Sequence, residues 1–102
     1  MNVHCNQITI VCFVMAKSET KESVKRELVY LANMTRKEEG NINYDLHVSS
    51  SDDCLFIIYE NWKNQAALDN HMSKPYLTNF LSKQKELLKS SVEGKICKII
   101  NG

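Results

Sequence analysis

The chain has 102 residues, 43% of them hydrophobic and 25% charged, and carries a net charge of +1. That length fits one domain spanning residues 1–102 and allows only a small core, so association would help to bury more apolar surface. The near-neutral charge gives no basis for a nucleic-acid surface, and no run is long and apolar enough to span a membrane.

Gln7 to Ala16 is apolar on both alternating faces. Ile8, Ile10, Cys12 and Val14 share one side; Val11, Phe13 and Met15 share the other. Two-sided apolarity marks a central strand. The run lacks the basic start of a signal peptide, so a cytoplasmic location is expected. Ser18 to Glu38 predicts a helix, with Ser18 as its cap and Val24, Leu28, Leu31 and Thr35 as its inward stripe. Gly40 is expected to end it in a left-handed conformation.

Ile42, Tyr44, Leu46 and Val48 alternate with Asn43, Asp45 and His47, which is strand patterning. Ser49 to Asp53 predicts a turn and Cys54 to Trp62 a second strand. A hairpin centred on Ser51 sets Ile42 opposite Glu60 and Tyr44 opposite Ile58. Tyr44, Glu60 and Trp62 then share one face, and His47 and Asn61 the other. Asn64 can cap a short helix in which Ala67, Leu68, His71 and Met72 point inward. Pro75 suits the first turn of the next helix. That helix carries Leu77, Phe80, Leu81, Leu87 and Leu88 and runs to Ser91. Val92 to Ile100 predicts the last strand.

The order β-α-β-β-α-β is that of an α+β, ferredoxin-like fold, with helices on one face of an antiparallel sheet. The other face carries Val11, Phe13, Leu55, Ile57 and Tyr59. An uncovered apolar face of this kind predicts a sheet-to-sheet homodimer.

Three glycines at Gly40, Gly94 and Gly102 build no phosphate-binding loop and no nucleophile elbow. The cysteines, Cys5, Cys12, Cys54 and Cys97, have no metal-ligand spacing and read as free thiols. No metal and no cofactor is therefore expected. The groups left for chemistry are Tyr44, Glu60, Trp62, His71 and Tyr76. The aromatics also read as core residues. An inward carboxylate at Glu60 needs a partner, and His71 is the expected one, in a pairing that could equally be structural.

Three segments carry a resemblance: E-G-N-I-N-Y-D-L from Glu39, Y-E-N-W-K-N-Q-A-A-L-D-N-H from Tyr59, and P-Y-L-T-N-F from Pro75. Together they resemble the antibiotic biosynthesis monooxygenase family, including its quinol monooxygenase-like members. The resemblance implies a dimeric α+β barrel that oxygenates electron-rich dihydroxy-aromatics without metal or flavin. By position, Tyr44, Glu60, Trp62 and His71 match the family's pocket-lining residues. Tyr76 stands where many relatives carry His, and the turn Ser49 to Asp53 lacks their Pro. Haem-degrading proteins of the same fold use an Asn-Trp-His set; their Trp position holds His71 here and their His position Leu81, which disfavours haem.

These readings predict a cofactor-independent monooxygenase acting on a small aromatic substrate, a quinol or polycyclic phenol, with molecular oxygen. His71 is the expected base and Glu60 its orienting partner. Tyr44, Trp62, Tyr76 and Phe80 are expected to contact substrate. The alternatives are an isomerase or degradation enzyme for a small signalling carbonyl compound, and a non-enzymatic ligand-binding dimer.

Overall fold

A computed structural model describes residues 6–101, so Cys5 lies outside the described residues. The elements are β1 (Ile8–Met15), α1 (Lys21–Thr35), β2 (Asn41–Val48), β3 (Leu55–Trp62), α2 (Gln65–Met72), α3 (Pro75–Leu81), α4 (Gln84–Leu87) and β4 (Glu93–Cys97). The strands form one antiparallel sheet in the order β2-β3-β1-β4, the ferredoxin-like arrangement. β1 is central, as its two-sided apolarity requires. The helices cover one face. Val24, Leu28 and Leu31 of α1 pack there with Val14, Phe56, Ile58, Phe80 and Leu87. Full burial of such a side chain contributes about 1.5–3 kcal/mol.

The β2–β3 register differs from a hairpin centred on Ser51. Tyr44 pairs with Glu60 and Leu46 with Ile58, two residues away from the expected partners. Because strand side chains alternate with period two, this shift leaves the residues from Asn43 to Val48 on their expected faces. The register breaks between Asn41 and Asn43, and Ile42 is the extra residue. It is 50% exposed and faces no partner, rather than opposing Glu60.

Both predicted ends of α1 need correction. Ser18 lies in a turn, and Thr20 takes the cap position. The Thr20 hydroxyl does not cap the helix but donates to the Leu87 carbonyl at 2.6 Å, tying the loop to α4. Gly40 is not left-handed. Its requirement is steric: a Cβ there would lie 2.1 Å from the Ala67 Cβ, so only glycine lets the α1–β2 loop rest on α2.

The predicted long helix from Pro75 to Ser91 is broken. Pro75 does start α3, but α3 ends at Leu81 and α4 is a single turn. Leu88 is extended and bridges to Ala16, and the Lys89 amide donates to the Met15 carbonyl at 2.9 Å. The backbone bonds to the end of β1 draw the chain out of the helix. β4 is shorter than Val92–Ile100 and lies at the sheet edge, with Ile96 73% exposed.

Candidate active site

Between the covered face of the sheet and the helices lies a cavity of about 550 Å³. Its walls are mostly apolar, with Ile10, Val14 and Ile58 from the sheet and Leu28, Leu31, Leu77, Phe80 and Leu81 from the helices. Cys12, Tyr44, Glu60 and His71 are the buried or partly buried titratable groups on its wall, and Gln65, Asp69, Gln84 and Ser91 are further polar lining residues. Three of these lie on strands, where alternation aims Cys12, Tyr44 and Glu60 at the helices. His71 sits one helical turn after Ala67 on α2. The Asn64 side chain caps that helix, accepting from the Ala67 amide at 2.9 Å.

The groups are deeply buried: Tyr44 is 2% exposed, His71 3%, Glu60 4% and Trp62 0%. Trp62 and Tyr76 do not line the cavity, although both were expected to contact substrate. Trp62 is behind His71, with ring centroids 4.5 Å apart and planes inclined by 34°. Tyr44 flanks the same imidazole at 6.1 Å. Tyr44 and Phe80 do line the cavity.

The expected Glu60–His71 hydrogen bond is absent among the described residues. Glu60 Oε1 accepts from the Trp62 indole N–H at 2.8 Å, and Oε2 from the Cys12 thiol at 3.5 Å. His71 Nδ1 instead meets Glu38 Oε2 at 2.8 Å, and both side chains are almost fully buried. The Tyr76 hydroxyl donates to the same oxygen. Two residues apart on one strand face, Glu60 and Trp62 satisfy each other locally, which leaves the imidazole to a carboxylate from another element.

The electrostatics follow from burial. Glu60 is raised above the ordinary carboxylate value by desolvation, against the opposing pull of Trp62, His71 and Cys12. Cys12 is pushed up to about 12, first by burial and then by the Glu60 charge. Tyr44 is raised by burial and by Glu60. Tyr76 is raised by burial and by its hydrogen bond to Glu38.

Two participants escaped the sequence reading. Glu38 stands in the polar run K-E-E-G after α1, which looks like solvated surface. The signal that could have found it is the glycine two residues on, whose lack of Cβ marks a close approach. Cys12 falls on the inward face of its strand pattern, but its spacing marks it only as a free thiol. On the opposite face, Asn61 is buried and bonded at both amide atoms: it accepts from Gln7 at 3.1 Å and from the Thr9 hydroxyl, and donates to Asn43 at 2.9 Å. His47 is exposed beside the Ile57 carbonyl.

The sequence profile of antibiotic biosynthesis monooxygenases matches residues 7–83, three-quarters of the chain, including Cys12, Tyr44, Glu60 and His71. The chain belongs to the antibiotic biosynthesis monooxygenase family. It is 31% identical over 86 residues to YcnE of Bacillus subtilis, a provisionally named monooxygenase, covering 84% of this chain and 90% of that one. Among solved structures, it is similar to PA3566 from Pseudomonas aeruginosa at a TM-score of 0.89 and 27% identity, covering 97% and 99% of the two chains. It is also similar to SO0527 from Shewanella oneidensis at 0.82 and 30% identity, covering 93% and 94%. For an antibiotic biosynthesis monooxygenase domain, the sheet order and the helix-covered face are the expected frame. No helix among the described residues is long and apolar enough to cross a membrane.

Proposed function

We infer that this protein is a cofactor-independent monooxygenase that oxidises a quinol or polycyclic phenol with molecular oxygen. The observation that carries this reading is the placement of His71, a buried imidazole on the wall of an apolar cavity large enough for a fused-ring phenol. His71 takes the phenol proton as general base. The phenolate passes an electron to oxygen, the two radicals combine at a ring C–H, and the resulting hydroperoxide loses water to leave a ring carbonyl. One oxygen atom ends in the product. The other leaves as water with the ring hydrogen and the proton returned by His71. The dry walls hold the ring through apolar contact, with Phe80 and Tyr44 against its faces.

Trp62 supports this chemistry indirectly, by stacking on His71 and holding Glu60. The open sheet face bearing Val11, Phe13, Ile57 and Tyr59 supports a homodimer, since a monomer would leave this apolar surface in water. Oxygen uptake with a panel of naphthols and quinols tests the reading. One oxygen consumed per ring carbonyl formed is expected, and no uptake with any member would overturn it.

A second reading rests on a specific pair. Glu60, raised by burial, and His71 line one cavity and could shuttle a proton in an isomerase. Deuterium exchange into a phosphorylated keto-sugar without oxygen uptake would favour it.

A further inference from the structure

We propose that Glu38 is the positioning residue that sets the tautomer of His71, and that the contact of Gly40 with Ala67 puts Glu38 in place. This rests on the reading of His71 as base, but its first test does not.

Glu38 Oε2 receives the Tyr76 hydroxyl and lies 2.8 Å from His71 Nδ1. An oxygen that accepts from the tyrosine presents its remaining lone pair to the imidazole, so Nδ1 carries the hydrogen. The basic lone pair is then at Nε2. That nitrogen has no hydrogen bond among the described residues, yet it is not among their sealed, unpartnered atoms. The ring lines the cavity, which is where this free nitrogen would meet a ligand. With Trp62 stacked on the ring, the imidazole is held by its face and by one nitrogen, and the other is left for substrate. When the phenol O–H breaks and an N–H forms at Nε2, the positive charge arises beside a carboxyl group.

Stability alone does not account for Glu38. Its second oxygen, Oε1, is buried without a partner among the described residues, which is costly. The loop is steered by backbone packing. The Gly40 carbonyl accepts from the Lys63 amide at 3.0 Å, and the missing Cβ lets Gly40 rest on Ala67, one turn before His71. Glu38-x-Gly40 and Ala67-x-x-x-His71 thus meet as two short spacings, one on the loop and one on the helix.

The test is the ¹⁵N spectrum of His71 at a pH where its ring is neutral. The wild type should show Nδ1–H with a bare Nε2, and Glu38→Ala should shift the ring toward Nε2–H. A wild-type Nε2–H ring, or a Glu38→Ala ring that stays Nδ1–H, would overturn the proposal. Should Glu38→Ala fail to fold, Gly40→Ala displaces the same carboxyl group and must give the same shift. With a turned-over quinol, Glu38→Ala should lower kcat by about 10²–10⁴-fold, the cost of a base held in the wrong tautomer, with KM nearly unchanged. An unchanged kcat in a folded variant overturns the role. Absence of quinol turnover in the wild type would instead sink the monooxygenase reading and leave the tautomer result standing.

Discussion

The two faces of the sheet handle polar side chains in opposite ways. On the open face, Asn61 accepts from Gln7 and Thr9 and donates to Asn43; Asn43 in turn donates to Asp45, which pairs with Arg36. Neutral amides dominate, and Asn61 has partners for both its oxygen and its nitrogen. On the covered face, the polar groups are ionisable and incompletely paired. Among the described residues, Glu38 Oε1 has no partner, and His71 uses one ring nitrogen of two. A network in which each buried polar atom has a partner fixes geometry, whereas one with unpartnered atoms beside a cavity leaves bonding capacity for a ligand. The contrast supports the proposed division, with scaffold and interface on one face and chemistry on the other.

The strongest way to break that assignment is His71→Ala. It should leave the fold and the oligomeric state intact and lower quinol turnover by about 10²–10⁴-fold. A purely structural imidazole would give the opposite result, with full turnover per folded molecule and a lower melting temperature. Turnover and thermal melts on the same preparations separate the two.

The open face is broken by Ile57→Asp. Ile57 pairs with Phe13 in the middle of the apolar patch, next to Tyr59 and Leu55. A charge there should dissociate the proposed dimer at micromolar concentration, read by analytical ultracentrifugation. A variant that sediments like the parent would remove this face as the interface.

The difference between the faces also governs how far the sequence could be read. Period-two alternation placed Tyr44, Glu60 and Trp62 together correctly even though the pairing was wrong by two residues, because an even shift preserves faces. The α1 stripe was legible for the same kind of reason: Val24, Leu28, Leu31 and Thr35 repeat at helical spacing and are all buried. The partner of His71 was not legible. Glu38 and His71 are 33 residues apart, and what joins them is a loop resting on a helix, which leaves no periodic trace. Helix propensity likewise carried the prediction through Ser82 to Leu88. The backbone bonds to β1 that stop the helix there are long-range and override local preference.

A smaller effect sharpens the roles of the two carboxyl groups. Glu60 binds Trp62 and Cys12 rather than His71, so Glu60→Gln should cost about tenfold or less in turnover, well below the loss for His71→Ala. The variant also has a pH signature. Burial raises Glu60 above its ordinary 4.5, so the folded protein binds this proton more tightly than the unfolded chain. The stability it contributes is fully present below the ordinary value and is lost as pH rises through the raised one. The Gln variant lacks that loss. Its melting temperature should therefore gain on the parent's by a few degrees between pH 4 and pH 8. Parallel curves would mean that Glu60 is not desolvated.

The smallest expected effect is a silence. Cys12 lies on the covered face at the middle of β1, against Glu60, and its thiol is pushed up to about 12. A thiol held protonated in this way forms little thiolate at pH 8, and thiolate is the form that alkylates. Cys97 lies on the opposite side of the sheet, on the edge strand β4. Iodoacetamide labelling followed by peptide mass spectrometry should mark Cys97 at least about 100-fold faster than Cys12. Unfolding should abolish the difference. The comparison of faces predicts one further step: a bound phenol fills the cavity that Cys12 lines, so a substrate analogue should slow Cys12 further and leave Cys97 unchanged. If Cys12 reacts as fast as Cys97 in the folded protein, the covered face is open to water, and the dry pocket required for a phenolate to meet oxygen does not exist.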